Sequence, residues 1–556
     1  AAEGRHRQPH DDGLCVHGLH QVRARDPSDP IIPKGSVSLK EGVIRAWAYC
    51  LALLVLGFPV FSPDLFWHLS AGRWILEHAQ VPRFDPFSFT AAGAPWIDFE
   101  WLTQLLFYGV GAAGGERGLW VLKCVLLPAA FIPVDGLLRD RRVSALARAG
   151  ALALWTAAML PQADLRVDLI SAFFFACLLR RLESGRASFL FGFGLFALWS
   201  NLHAAFALGF FLYALYALAA RLGGAKPFEG LAAEACGAVL GSLLNPFGIN
   251  LYSVLLTHAT EPAMTRLVME WGPPNWHHAF QVPLLAALGV TAAVLVLARA
   301  RLSRTLAAAA LVLGLATAAS ARFGIYFAAA GVSCVFAAFP RPREGVLAVG
   351  LAALSLMLCE PLLRVRWCAS FQDHYVARRA VEFIVRERAV LGPLRLFNQY
   401  EWGGYLGWRM GEGYKVFGDG RYLFHSQLPE IQKAIFSVGG IAALAERRGL
   451  AGFLIKNARL LLPSTRAYPD GSRREILRPW HIFAFPRERW ALVYWDDQAL
   501  IFLDRAKTPA EWLAAHEYRW LRPGDERALE DAVSRGEVAL GPLEAERARQ
   551  RAETAR

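Results

Sequence analysis

The chain has 556 residues, of which 55% are apolar and only 19% charged, where a soluble chain usually carries about 25% charge. Half of the charged side chains lie in residues 371–556, and the others sit in short runs between long apolar stretches. This distribution excludes a wholly soluble enzyme, a disordered chain and a disulfide scaffold. It points instead to a multi-spanning membrane protein with a water-exposed C-terminal region. The net charge of +12 would suggest nucleic acid in a soluble protein, but here the basic runs lie between apolar segments and set orientation, so no nucleic-acid partner is expected. The eight cysteines form no CxxC pair, so neither a zinc nor a redox motif is visible. Cys359 and Cys368 are close enough in sequence to suggest a disulfide.

Residues 1–42 are polar and read as a disordered cytoplasmic tail, with four histidines around Cys15. No apolar signal core precedes Ala46, so the first apolar segment is expected to direct insertion. Apolar segments follow at 46–61, 118–138, 144–160, 167–179, 188–200, 204–220, 231–244, 282–298, 305–319, 323–338 and 345–360. Several are shorter than the roughly 20 residues of a straight span, so flanking positions must extend them. With eleven spans and a cytoplasmic N-terminus, the basic runs Arg139–Arg142, Arg180–Arg186, Arg221–Lys226, Arg299–Arg304 and Arg341–Glu344 all fall inside. A twelfth span at Trp101–Gly114 would break that pattern, so this stretch is expected to lie as an amphipathic helix on the outer surface. The expected organisation is a membrane domain over 43–365, with an outer first loop at 62–117, followed by an extracytoplasmic α/β domain over 366–556.

The first loop carries the densest chemistry. Pro63 suits a first helical turn with Ser62 as N-cap, which puts Asp64 and His68 on one helix face. Asp64 is a candidate general base, with His68 to orient or assist it; the alternative is that Asp64 only caps its helix. Asp98 and Glu100 are candidates to support it or to hold a divalent metal such as Mg or Mn. Trp67, Trp74, Trp96 and Trp101 suit the headgroup layer. His203, Arg166 (with Asp164 and Asp168) and Arg322 fall at outer turns between spans, and either arginine could hold a lipid phosphate or pair with a nearby Asp. The loop after the seventh span holds an Asn245–Gly248 turn, a surface helix at Asn250–His258, and Glu270, a candidate for binding acceptor or metal.

In the C-terminal region, Val376–Glu387 and Pro429–Ala434 read as helices. Leu394–Asn398, Lys415–Phe417, Phe453–Lys456, Ala491–Trp495 and Leu500–Leu503 read as strands. Asp419 and Arg421 follow the second of two glycine-rich patches, where they could bind sugar or phosphate or simply turn the chain. No Walker loop, GxGxxG, HExxH or GxSxG stands in a matching context.

These motifs run from Asp64–His68 with Gly72 and Arg73, through Asp85–Ser88, Trp96–Trp101, Asn201–His203, Asn245–Gly248 and Glu270–Trp271, to Glu401–Gly404 and Phe417–Arg421. Together they resemble the GT-C superfamily of integral-membrane glycosyltransferases, whose members include protein mannosyltransferases and the aminoarabinose transferase of lipid A. The resemblance implies an α-helical polytopic fold of about eleven transmembrane helices in a bacterial inner membrane, with a periplasmic C-terminal domain. It implies transfer of a sugar from a polyprenyl-phosphate donor to a glycan, lipid or protein acceptor on the outer face. Asp64 matches the family's first-loop base or metal ligand, although the chain has no adjacent Asp-Glu pair there. Arg73, Arg322 or Arg166 would supply positive charge near the phosphate. Two other readings stay open: a transporter of lipid-linked glycan, and a non-catalytic subunit of a membrane complex.

Overall fold

The computed structural model describes residues 39–222, 230–260, 271–343, 376–437, 439–468 and 471–554. The expected span at 345–360, residues 1–38, Cys359, Cys368 and Glu270 lie outside the described residues, and the last four residues of the expected tail 1–42 are helical rather than disordered. The remaining apolar segments all form helices. They are α1 (Leu39–Leu56), α3 (Trp101–Asp140), α4 (Ala145–Met159), α5 (Val167–Glu183), α6 (Phe189–Leu202), α7 (Ala207–Leu222), α8 (Leu231–Ser242) and the helices Val282–Leu297, Arg304–Ala319 and Gly324–Ala338. Two more helices, α2 (Leu65–His78) and α9 (Leu251–Thr260), lie in the connecting loops. Among the described residues, four helices are long and apolar enough to cross a membrane: Trp101–Asp140, Ala204–Leu222, Ala279–Leu297 and Ala321–Ala338.

Local chemistry explains where these helices start and how they pack. Ser144 and Ser303 cap their helices by accepting from the N–H of Ala147 and Leu306. Gly192, Gly237 and Gly241 bring the backbones of α6 and α8 into contact. A Cβ at Gly237 would fall 2.3 Å from the Phe189 carbonyl oxygen, and one at Gly241 would fall 2.1 Å from that of Phe193. The expected surface helix and the second span are one element, α3, broken at Gly115 (φ 59°). Only glycine takes that conformation without strain, and the two halves then touch through Gly111 and Leu119.

The basic runs meet at one end of the bundle. Arg180 donates to Asp140 at 2.9 Å, Arg141 pairs with Glu183, and the hydroxyls of Ser303 and Thr305 donate to Glu183 at 2.9 and 2.8 Å. Asp135 there holds Arg148, Arg139 and Arg45 at 3.0, 3.1 and 3.4 Å. The N-terminus of α5 and the turns at His203 and Arg322 lie at the opposite end, under the first loop and the C-terminal region.

The C-terminal region is built on a four-stranded sheet of β1 (Leu396–Asn398), β2 (Gly452–Lys456), β6 (Ala499–Asp504) and β5 (Trp490–Trp495), in that order. β1 and β2 are parallel and the other pairs antiparallel. Four of the five expected strands are present. Lys415–Phe417 makes only a single bridge, Val416 to Ser88, because it pairs with the first loop rather than with the sheet. A separate hairpin, β3 (Leu461–Ala467) and β4 (Arg473–Pro479), was not legible, since its arginines hide the alternation. The helices Arg378–Arg386 and Leu428–Ile435 match the expected ones.

One apolar core is shared by both regions. Leu65, Phe66 and Leu69 of α2 and Phe107 of α3 pack with Val381, Ile384, Tyr405, Leu406 and Tyr494. The first loop and the C-terminal sheet are therefore one folded unit over the end of the bundle opposite the basic runs.

Candidate active site

Helix α2 begins at Leu65 rather than at Pro63, with Asp64 in the N-cap position. The Asp64 side chain makes no capping hydrogen bond. Its carboxylate lies instead against Gly420 of the C-terminal region, where a Cβ would fall 1.9 Å from Oδ1. Asp64 thus holds the N-cap position without a side-chain capping bond. Asp64 is half-buried in the wall of a cavity of about 1440 Å³ between the bundle, the first loop and the C-terminal region.

His68, one turn on, is buried with its ring on that of Trp67, 3.6 Å between centroids. Its Nδ1 is 3.9 Å from Glu100 Oε2, and Glu100 Oε1 is 3.7 Å from His203 Nε2. His203 Nε2 in turn lies 3.9 Å from Asp168 Oδ1, and its Nδ1 meets the Ser171 hydroxyl at 2.8 Å. Asp168 faces Arg166 at 3.6 Å and Arg322 at 3.8 Å, and Arg322 lies over the Trp271 ring at 5.0 Å. A chain of alternating acid and base thus runs across the cavity from His68 to the two arginines.

Burial sets the protonation of the loop groups. It pushes Asp98 up to about 7, against the pull of the 2.6 Å bond from Gln104. It holds Glu100 well above the usual carboxylate range, with Asp98 and Asp168 adding to the effect. It also holds His68 well below the usual imidazole value, helped by His203. Asp98 Oδ2 and His68 Nδ1 are buried without a hydrogen-bond partner. Groups left in that state cost stability, and a site that meets a substrate can carry such a cost.

Of the expected residues, Asp64, His68, Asp98, Glu100, His203 and Arg322 all line this one cavity. Arg73 does not. It lies on the far side of α2, over the Trp408 ring at 4.8 Å, beside a separate cavity of about 200 Å³. Asp419 and Arg421 bind each other rather than offering themselves to a ligand: Nε and Nη2 of Arg421 donate to Asp419, and Nη1 donates to Asp85 at 2.7 Å. Asp168 is the residue that sequence reasoning undervalued. It was noted only as a neighbour of Arg166, although its place at the start of an apolar helix was a signal.

Among the described residues no three His, Cys, Asp or Glu side chains converge on one point, and Glu100 is shared pairwise by two histidines. No step below is routed through a metal.

Apolar side chains line the same cavity, among them Phe58, Phe61, Leu208, Leu255, Phe280 and Phe323. The space is therefore amphiphilic, with ionisable groups and hydrocarbon surface in one lining.

No family model and no curated protein matches the sequence. Solved structures do match the fold. The archaeal oligosaccharyltransferase AglB from Archaeoglobus fulgidus, in complex with an inhibitory peptide and a dolichol-phosphate, superposes with a TM-score of 0.56 at 11% identity, over 86% of this chain and 80% of that one. The chain has the GT-C fold. ArnT from Cupriavidus metallidurans, bound to undecaprenyl phosphate, gives a TM-score of 0.46 at 12% identity, over 84% of this chain and 98% of that one. In this chain the first loop and the C-terminal region close over the end of the helices away from the basic runs, and the cavity lies at that junction.

Proposed function

We propose that the protein is a membrane glycosyltransferase that moves a sugar from a polyprenyl-phosphate donor to an acceptor hydroxyl on the outer face of a bacterial inner membrane. The observation that carries this reading is the half-buried Asp64 carboxylate in an amphiphilic cavity whose lining also holds Arg166 and Arg322. A donor with an isoprenoid tail and a charged head matches such a space.

The chemistry asks for little beyond what is there. The acceptor hydroxyl gives its proton to Asp64 while its oxygen bonds to the anomeric carbon. The bond from that carbon to the phosphate oxygen breaks, and the polyprenyl phosphate leaves with the electron pair. Arg322 and Arg166 hold the charge that develops on it. Glu100 sits between His68 and His203, and burial raises its carboxyl well above the usual range, which disfavours negative charge there. In this reading the helices span the membrane with the basic end cytoplasmic, and the C-terminal region is periplasmic.

The test uses the purified protein in liposomes with a panel of polyprenyl-phosphate sugars, read by mass spectrometry for released polyprenyl phosphate and glycosylated acceptor. Asp64→Asn should lower the rate by roughly 10³-fold or more with the unfolding temperature unchanged. Unchanged transfer by that variant removes Asp64 from the mechanism. Glycan translocation without transfer supports a transporter, and an inactive chain that co-purifies with a larger membrane complex supports a non-catalytic subunit.

A further inference from the structure

The turn Asp419–Tyr422 comes from the C-terminal region yet meets the first loop at Asp64, Asp85, Trp96 and Ile97. Arg421 is buried in a fork of two carboxylates. Its Nε lies 2.8 Å from Asp419 Oδ1, its Nη2 lies 2.9 Å from Asp419 Oδ2, and its Nη1 lies 2.7 Å from Asp85 Oδ1. Asp85 is fixed in turn by the N–H groups of Phe87 and Ser88. The guanidinium lies over the Trp96 ring at 4.7 Å. Burial pulls Arg421 down, but the two carboxylates reverse this and raise it above its ordinary value, so it is always charged. The next residue, Tyr422, accepts from the Ile97 N–H at 3.0 Å, one residue before Asp98. Upstream, Asn398 at the end of β1 donates to the Gly418 carbonyl at 2.7 Å and accepts from the Phe417 N–H at 2.8 Å.

Gly420 stands in the middle of this clamp, and its φ is not positive, so the backbone conformation does not call for glycine. The missing side chain does. A Cβ there would lie 1.9 Å from Asp64 Oδ1 and 3.1 Å from Trp67 Nε1. We infer that the Asp419–Tyr422 turn is the seat of the Asp64 carboxylate, with Arg421 as the positioning residue that locks the seat to the first loop. The inference rests on the transferase reading above and adds a role for the C-terminal region: it sets the direction of the base rather than merely covering the cavity. The close approach of Gly420 limits where the Asp64 carboxylate can turn, and misplacement by about 1 Å costs roughly 10²-fold in rate.

The test is a comparison of Gly420→Ala, Arg421→Lys and Gly109→Ala in the full-length protein. Gly109 is a control whose added Cβ meets nothing. With the donor that the wild type uses, Gly420→Ala should lose about 10²-fold in kcat at unchanged donor KM. Binding of undecaprenyl phosphate, read by native mass spectrometry, should stay within threefold of wild type. Arg421→Lys keeps the charge but loses the fork, and should lose roughly tenfold in kcat with the same KM. Gly109→Ala should do neither. A Gly420→Ala protein that keeps its kcat overturns the inference, as does one that loses undecaprenyl phosphate binding together with its rate. If Gly420→Ala does not fold, Arg421→Lys decides alone, and an unchanged kcat rejects the seat. These outcomes are separable from failure of the transferase reading, which shows as an inactive wild type or an active Asp64→Asn.

Discussion

The two ends of the helix bundle both bury carboxylates, and they treat them in opposite ways. At the basic end Asp135 faces three arginines, while Glu234 accepts from Arg181, from the Ser188 N–H at 2.6 Å and from the Tyr213 hydroxyl at 3.1 Å. At the cavity end Glu100 has two histidines at 3.7 and 3.9 Å, and one oxygen of Asp98 has no hydrogen-bond partner. The first arrangement is what a chain needs to hold helix ends together away from water. The second leaves groups waiting, with protonation states moved by burial, and that is where chemistry is to be sought. The contrast teaches that a buried acid is informative through how fully its partners answer it, not through burial alone.

The contrast can be broken at either end. The largest expected effect on stability is at the basic end. Asp135→Asn leaves Arg148 buried and unanswered, and should cost about 3–5 kcal/mol, read as a fall in unfolding temperature in detergent with transfer by the surviving protein unchanged. Asp98→Asn should act in the other direction. The folded-state pKa of Asp98 is raised from 3.8 to about 7, so the native state holds a proton that the unfolded state releases across that interval. The wild type should therefore lose stability relative to Asp98→Asn as pH rises from about 4 to about 7, by up to about 4 kcal/mol. Below pH 4 the two should unfold alike, and a gap independent of pH would show that Asp98 does not titrate this way. Arg322→Met should have the smallest effect, raising the donor KM by roughly 10–100-fold, which corresponds to one charge-assisted contact of about 1.5–3 kcal/mol. A Michaelis constant that stays put would move the phosphate contact to Arg166.

Much of the membrane architecture was legible because apolar runs and basic punctuation are one-dimensional signals. Ten apolar segments become helices, and the basic runs at 139–142, 180–186 and 299–304 meet where the positive-inside pattern puts them together. Most of the site was legible for a related reason. Asp64, His68, Asp98 and Glu100 are ionisable groups in an apolar chain, and such groups need a physical account. Arg73 was misread because helix periodicity gives spacing but not facing: five positions beyond His68 it points to the opposite side of α2. Arg421 was misread because its partner Asp85 lies 336 positions away, and no local pattern reveals a bond of that span. The strand expected at Lys415–Phe417 failed for the same reason, since its backbone bridge is to Ser88 of the first loop, far away in sequence.

The core shared by α2 and the C-terminal sheet has a consequence for synthesis. Phe66 emerges early, but Tyr405, against which its ring packs at 4.7 Å, is made only after the described helices of the bundle. Until then α2 can pack only on its earlier-made neighbours Phe107, Leu119, Leu165 and Val167, so its core stays half built. A chain that stops short of the last third would leave that half exposed to water.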